Sequence, residues 1–203
     1  MQRYGLTKAP VFKEQGDINE TSPFGEKRGA YIHKGVDIVR HIGCNTTATI
    51  VAIADGTVTA VKNTVTGVDH KRNLEGNYVV VDHGGGTVTK YFHLKYGSIP
   101  ASVRVGAAVK AGDVLGHMGN TGDSYGAHLH FQLEQNGKPI DGTPYLKGVK
   151  VIGGATAEEY IKKIVQKVGY SDPASAMAAF KAVRHPFAAD LWRKLWEALA
   201  CRS

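Results

Sequence analysis

The feature that most constrains this chain is a recurrence between about residues 32 and 140: short runs rich in β-branched and alternating apolar residues, each closed by glycine. TTATIVAIA, DGTVTAV, NYVVVDHGGGTVTKYFHL and HLHFQLEQNGKPI succeed one another at strand length, with turn signals between them. The 25 glycines among 203 residues suit such a body, because tight turns need the positive φ that glycine adopts without a steric cost. Asp82-His83-Gly84-Gly85-Gly86 joins two alternating runs, and Asn136-Gly137 joins HFQLEQ to KPI, both with the composition of hairpin turns. The predicted fold is therefore mainly β, an antiparallel, sandwich-like or barrel-like sheet. Val103 to Gly116 adds a strand, turn, strand pattern. That pattern is shared with lipoyl and biotinyl carrier domains, so it bears on fold and not on chemistry.

The composition changes after Val151. Gly153-Gly154 reads as a linker, and Thr156 followed by Glu159 is a capping box for a helix with Ile161, Ile164, Val165 and Val168 on one side and Gly169 at its end. Asp172-Pro173 opens a second helix carrying Met177, Phe180 and Val183, and a third after Pro186 carries Leu191, Trp192, Leu195, Trp196 and Leu199. The two tryptophans read as core packing. A segment this small is marginal alone, so it is expected to dock on the β domain, a virion partner or the wall of a cell. The organisation expected is an N-terminal extension over 1–19, a β domain over 20–152 and a small C-terminal α-helical appendage over 153–203.

Charge narrows the partners without choosing one. The chain carries a formal +7 with a pI near 9.3, compatible with nucleic acid, an anionic membrane or an anionic wall polymer. Its Lys and Arg residues are scattered, with no basic stripe interleaved with aromatics, which argues against nucleic acid. No apolar stretch approaches the ~18 residues of a spanning helix, and the N-terminal MQRYGLTKAPVFKEQGD lacks the apolar run of a Sec signal peptide, so export by another route or prior processing is expected. Cys44 and Cys201 are far apart and form no metal-type pair, which favours free thiols over a disulfide framework or a thiolate metal site.

Three patches carry candidate chemistry: His33-Lys34-Gly35-Val36-Asp37, Tyr91-Phe92-His93-Leu94 and His128-Leu129-His130-Phe131. On a strand alternate side chains share a face, so His33 and Asp37 point one way with Gly35 leaving space between them. In the last patch Leu129, Phe131 and Leu133 form an apolar face, and His128, His130 and Gln132 form the other. Two imidazoles and a carboxylate are the donor set of a catalytic zinc site that keeps a fourth position open. An isolated HxxxD or HxH is more often a chance pattern or a strand with exposed histidines. With His93 between them in the chain, the two patches gain weight.

Taken in order, Thr21-Ser22-Pro23-Phe24-Gly25, the HxxxD patch, Gly76-Asn77-Tyr78-Val79-Val80-Val81-Asp82-His83-Gly84, Tyr91-Phe92-His93-Leu94 and the run from Gly119 to Phe131 closely resemble the lysostaphin-type (LytM-like) zinc endopeptidases of peptidoglycan. The resemblance covers about residues 20–145. It implies a groove-bearing antiparallel peptidase domain, one zinc ion per chain on His33, Asp37 and His130, and two catalytic histidines that are not ligands, His93 and His128. It also implies hydrolysis of peptide bonds in the stem peptides or cross-bridges of the bacterial wall, in an extracellular, periplasmic or virion-associated setting; the lack of a Sec signal and the small size also suit a phage lysin or tail-associated enzyme. In that chemistry zinc polarises the scissile carbonyl and brings the pKa of water to about 7, while an imidazole of pKa near 6.5 handles the proton.

The competing readings are a catalytically silent relative that binds wall or activates a hydrolase, and a structural virion component. Gln132 is a support for the metal site or, more plainly, a solvated strand residue. His41, His70, His83, His117 and His185 fall off the motif positions and read as surface or turn residues, His83 as one that bonds local backbone. Ser124 sits in TGDSYG without the strand-to-helix turn of a nucleophile elbow, which leaves it a loop-shaping role. The loops over 65–77 and 119–127 are expected to set bond specificity.

Overall fold

The computed structural model describes residues 11–13, 18–40, 48–148, 150 and 152. The elements run β1 (Ile18–Ser22), β2 (Lys27–Arg28), β3 (Tyr31–Ile32), β4 (Val36–Arg40), β5 (Thr49–Val51), β6 (Gly56–Lys62), β7 (Asn77–Asp82), β8 (Thr87–Leu94), β9 (Ala108–Val109), β10 (Val114–His117), β11 (Leu129–Gln135), β12 (Lys138–Ile140) and the one-turn helix α1 (Thr143–Leu146). The main sheet has the order β1-β4-β11-β8-β7-β6-β9, with β12 also on β11, and every pairing is antiparallel. Small sheets β10-β5 and β2-β3 flank it. This is the mainly antiparallel β architecture that the alternating runs require.

The period-two pattern decides which face is inside. Val79 and Val81 of β7, Tyr91 of β8 and Leu129, Phe131 and Leu133 of β11 are all fully buried, and the Tyr91 and Phe131 rings meet edge to face at 5.6 Å. Ile50 and Leu115 of the β10-β5 sheet close over this layer, joined by Val11, Phe12 and Ile18 from the start of the described chain. Both anticipated hairpins form. Asp82 ends β7 and Thr87 begins β8, and Asn136 and Gly137, at φ 51° and 73°, make the tight β11-β12 turn in which both central residues adopt positive φ.

Two expectations need correction. The 103–116 segment does supply β9 and β10, but they do not pair with each other: β9 joins β6 and β10 joins β5, because each finds an open edge elsewhere. His33 also lies outside any strand, since β4 starts at Val36. The segment before it is a small hairpin, β2-β3, tied back by His33 N–H donating to Glu26 O (2.8 Å) and Gly25 N–H donating to His33 O (2.9 Å). The helices expected over 153–203, together with Cys44, Cys201, His41 and His185, lie outside the described residues. Among the described residues no helix is long and apolar enough to cross a membrane.

Candidate metal centre

The central strands β4, β11 and β8 lie side by side, and their register sets Asp37 opposite His130 and His130 opposite Phe92. Three groups from distant parts of the chain thus form one row across the sheet. The hairpin β2-β3 folds over the end of β4 and drops His33 onto that row. His33 Nε2 stands 3.1 Å from Asp37 Oδ1 and 3.0 Å from His130 Nδ1, and His130 Nδ1 stands 2.8 Å from Asp37 Oδ1. All three side chains are buried.

What makes this triangle a candidate cation site is where the other ring atoms point. His33 Nδ1 faces the Pro23 carbonyl at 2.8 Å, an acceptor that places a proton on Nδ1 and turns Nε2 inward toward Asp37 and His130. His130 Nε2 faces Gln132 Oε1 at 3.5 Å, so its Nδ1 is likewise turned inward as an acceptor. The Gln132 amide is held in that sense by donating to Glu134 Oε1 (2.7 Å), which also receives Lys90 Nζ (2.7 Å). Three acceptor atoms therefore converge, and something positive, protons or a metal ion, must lie between them. Their spacing compares with the ~3.3 Å that separates ligands on a tetrahedral ion bonded at about 2.0–2.1 Å. His33, Asp37 and His130 are also the only group of this kind among the described residues.

Asp37 stays ionised for the same reason. Burial alone would push its carboxyl up, but hydrogen bonds with His130 and His33 and the charges of His130 and His128 outweigh this and hold it well below the ordinary carboxylate range. Its second oxygen, Oδ2, receives Arg28 Nη2 at 2.7 Å, while Arg28 Nε donates to Glu26 at 2.9 Å. Ser22 Oγ bonds both Arg28 and Glu26. Sequence reading passed over Arg28. No local pattern marks it, since its partner is set by how the β2-β3 hairpin folds back on β4.

His93 and His128 complete the site. His93 has φ 63°, a backbone that non-glycine residues seldom adopt, at a bulge where Asn77 pairs with Leu94 but Val79 pairs with Tyr91. The kink breaks the alternation: Tyr91 and Leu94 both enter the core, while Phe92 and His93 both reach the site. Phe92 stacks on His130 (5.3 Å, 9° between planes), and His93 lies 4.7 Å from the His128 ring. His93 Nδ1 donates to Thr121 O at 2.8 Å. Burial, with the neighbouring charges of His128 and His130, pulls its pKa down to about 3, so the ring is neutral and presents Nε2 as an acceptor. His128, just ahead of β11, places Nδ1 2.8 Å from Gly126 O and Nε2 3.7 Å from Asp37 Oδ1. Ser124, buried at 2% exposure, donates to the same Gly126 oxygen at 2.9 Å and lies 3.2 Å from His128 Nδ1, so it shapes the loop that aims His128.

The other histidines among the described residues stand apart from this cluster. His83 bonds Asp55 O (2.7 Å) and Thr89 Oγ1 (2.7 Å), linking a turn to the core hydroxyl of Tyr91; His117 lies in β10; His70 is exposed and bonds Asp123. Gln132 is buried at 6% exposure, which overturns its reading as a solvated strand residue: β11 is central, so both of its faces are covered.

A family model described as peptidase family M23 matches residues 31–142, which contain all five of these residues. The chain belongs to this family. The lysostaphin-type resemblance of its sequence is thereby borne out. Among curated relatives, an "uncharacterized metalloprotease" of Buchnera aphidicola is 30% identical over 149 residues, 68% of this chain and 35% of the relative. Peptidoglycan DD-endopeptidase ShyA of Vibrio cholerae is 33% identical over 109 residues, 54% of this chain and 22% of ShyA. The chain thus spans about a third or less of the length of these relatives. A solved chain of the SpoIIIAH and SpoIIQ complex shares the fold, with a TM-score of 0.54, 22% identity, and coverage of 66% of this chain and 96% of that one.

Proposed function

We propose that this M23 protein is a zinc-dependent endopeptidase that hydrolyses peptide bonds in the stem peptides or cross-bridges of bacterial peptidoglycan, acting at the cell wall. The observation that carries the proposal is the convergence of three acceptor atoms, from His33, Asp37 and His130, whose outward ring nitrogens are already engaged. Such a donor set suits zinc better than magnesium or calcium, which favour all-oxygen shells. Zinc held there would supply Lewis acidity toward a carbonyl and make water a usable nucleophile near neutral pH. The names of relatives such as ShyA support the wall peptide as substrate. In this reading residues 20–152 are the peptidase domain, and 153–203 mount it on the wall or a partner.

The chain's own residues then divide the remaining work. With Nδ1 engaged by a backbone carbonyl, His93 and His128 can each exchange protons only through Nε2, and both rings line a cavity that Asp37 also lines. One of the two rings would take a proton from water through Nε2, and the other would donate to the tetrahedral oxyanion or the departing amine. Arg28 holds Asp37 in its ionised, ligating orientation. Peptide-bond hydrolysis balances with one water consumed, one amine and one carboxylate released.

Metal analysis and digestion of purified sacculi test this. The wild type is expected to carry one zinc per chain and release amines; His130→Ala is expected to lose both zinc and turnover. His93→Asn, chosen because asparagine tolerates positive φ, is expected to keep zinc and lose turnover. A His93→Asn protein as active as wild type would overturn the assignment of His93.

A further inference from the structure

Beside the metal site the loops over 65–77 and 119–127 are fastened into one wall. Gly122 N–H donates to Gly67 O (3.0 Å), Asp69 N–H to Gly122 O (2.8 Å) and Asp123 N–H to Leu74 O (2.8 Å). The Asp69 carboxylate winds the intervening turn, accepting from the backbone N–H groups of Lys71 (3.1 Å) and Arg72 (3.0 Å) and from the Asn73 side chain (2.6 Å). That turn presents His70, whose Nδ1 bonds Asp123 Oδ1 at 2.6 Å. On the His70 ring lies Tyr125, stacked at 4.8 Å and 25°.

Tyr125 is 90% exposed, the most exposed large apolar side chain among the described residues. A phenol ring so exposed would ordinarily sample several rotamers, and fixing it costs entropy. Here one of its faces stacks on the His70 ring, which is itself hydrogen-bonded to Asp123, and the other face is left open. Tyr125 lines a cavity of about 420 Å³ that is also lined by Asp37, His93 and His128. An aromatic ring held in place before its partner arrives loses little freedom on binding, which is why rigid tyrosines serve as contact residues.

We propose that the free face of Tyr125 is a substrate contact: it stacks on the peptide on the His128 side of the scissile bond, with His70 and Asp123 as positioning residues that hold the ring. The occupant is peptide because the cavity under the ring continues into the site where the bond is cut, so what lies there is covalently joined to the scissile group. This deepens the peptidase reading and rests on it for the identity of the peptide.

The test uses the full chain and soluble cross-linked wall peptides freed of their sugars. Their dissociation constants are measured by calorimetry with chelator present, and their turnover is measured separately with zinc. Tyr125→Ala is expected to raise both Kd and KM by ~3–10-fold with kcat within about twofold, and Tyr125→Phe to match wild type. His70→Asn, which keeps a donor for Asp123 and removes the stack, is expected to weaken binding, and His70→Phe to restore it. Equal Kd values for wild type and Tyr125→Ala, or no peptide binding by wild type, would overturn the contact. So would a loss seen only with fragments that retain sugars, which would move the contact to the glycan. Peptide binding by wild type without cleavage would sink the peptidase reading and leave the contact standing.

Discussion

Replacing Gly35 by alanine asks whether the three-residue cluster is held as tightly as a metal site requires. The space between His33 and Asp37, expected on sequence grounds to be left free by Gly35, is filled by His130. A Cβ at Gly35 would stand 2.5 Å from His130 Nε2, 2.7 Å from its Cε1 and 2.7 Å from the Phe131 carbonyl oxygen. Ordinary carbon contacts begin near 3.5 Å, so the imidazole would have to retreat by ~1 Å. The Phe131 oxygen cannot yield easily, because Phe131 is paired with Val36 in the β4-β11 ladder. Overpacking of this kind costs about 1–3 kcal/mol, and ligand displacements of ~1 Å far exceed the ±0.2 Å that a metal site tolerates. Gly35→Ala is therefore expected to lower zinc affinity by at least ~10–100-fold, read by competition with a chromophoric chelator, and to lower the Tm of the metal-free protein. Gly67→Ala, where an added methyl meets nothing within 4 Å, is the matched control and should change neither. Wild-type zinc affinity in Gly35→Ala would refute the packing account of the site.

Two further outcomes follow from the same geometry. Gln132→Leu removes the acceptor opposite His130 Nε2 and is expected to weaken zinc binding by ~10-fold with little change in fold, measured by chelator competition and circular dichroism; unchanged affinity would show that the Gln132, Glu134 and Lys90 chain does not orient the ligand. His93 is neutral in the fold down to about pH 3, whereas in the unfolded chain it takes up a proton below about 6.5. Its contribution to stability is thus complete above pH 6.5 and is lost as pH falls toward 3, at ~1.4 kcal/mol per pH unit for one proton. Urea unfolding of the metal-free protein between pH 7 and 5 should fall less steeply for His93→Asn than for wild type, and parallel slopes would contradict the burial of a neutral ring.

What could be read from sequence divides along physical lines. The strands at Val79 to Val81 and Leu129 to Leu133 were legible because alternation is local, and the turns at 82–86 and Asn136-Gly137 because positive φ selects their residues. The gathering of His33, Asp37, His93, His128 and His130 was legible only through the ordered resemblance. Nothing local says that β4, β11 and β8 are neighbours. Arg28, Phe92 and the burial of Gln132 depend on cross-strand register and on β11 being central, and these emerge only when the sheet is assembled. The kink at His93 was hidden for another reason: YFHL reads as plain strand, and the bulge exists because β7 and β8 differ by one residue across it.

The central claim is that a metal ion on His33, Asp37 and His130 enables this chain to cut wall peptides. Amine release from purified sacculi by the full chain, measured as isolated, after chelation and after zinc is restored, tests it most directly. The account expects release that chelation abolishes and zinc restores. Release that persists unchanged through complete chelation, or no release in any of the three states, would contradict it.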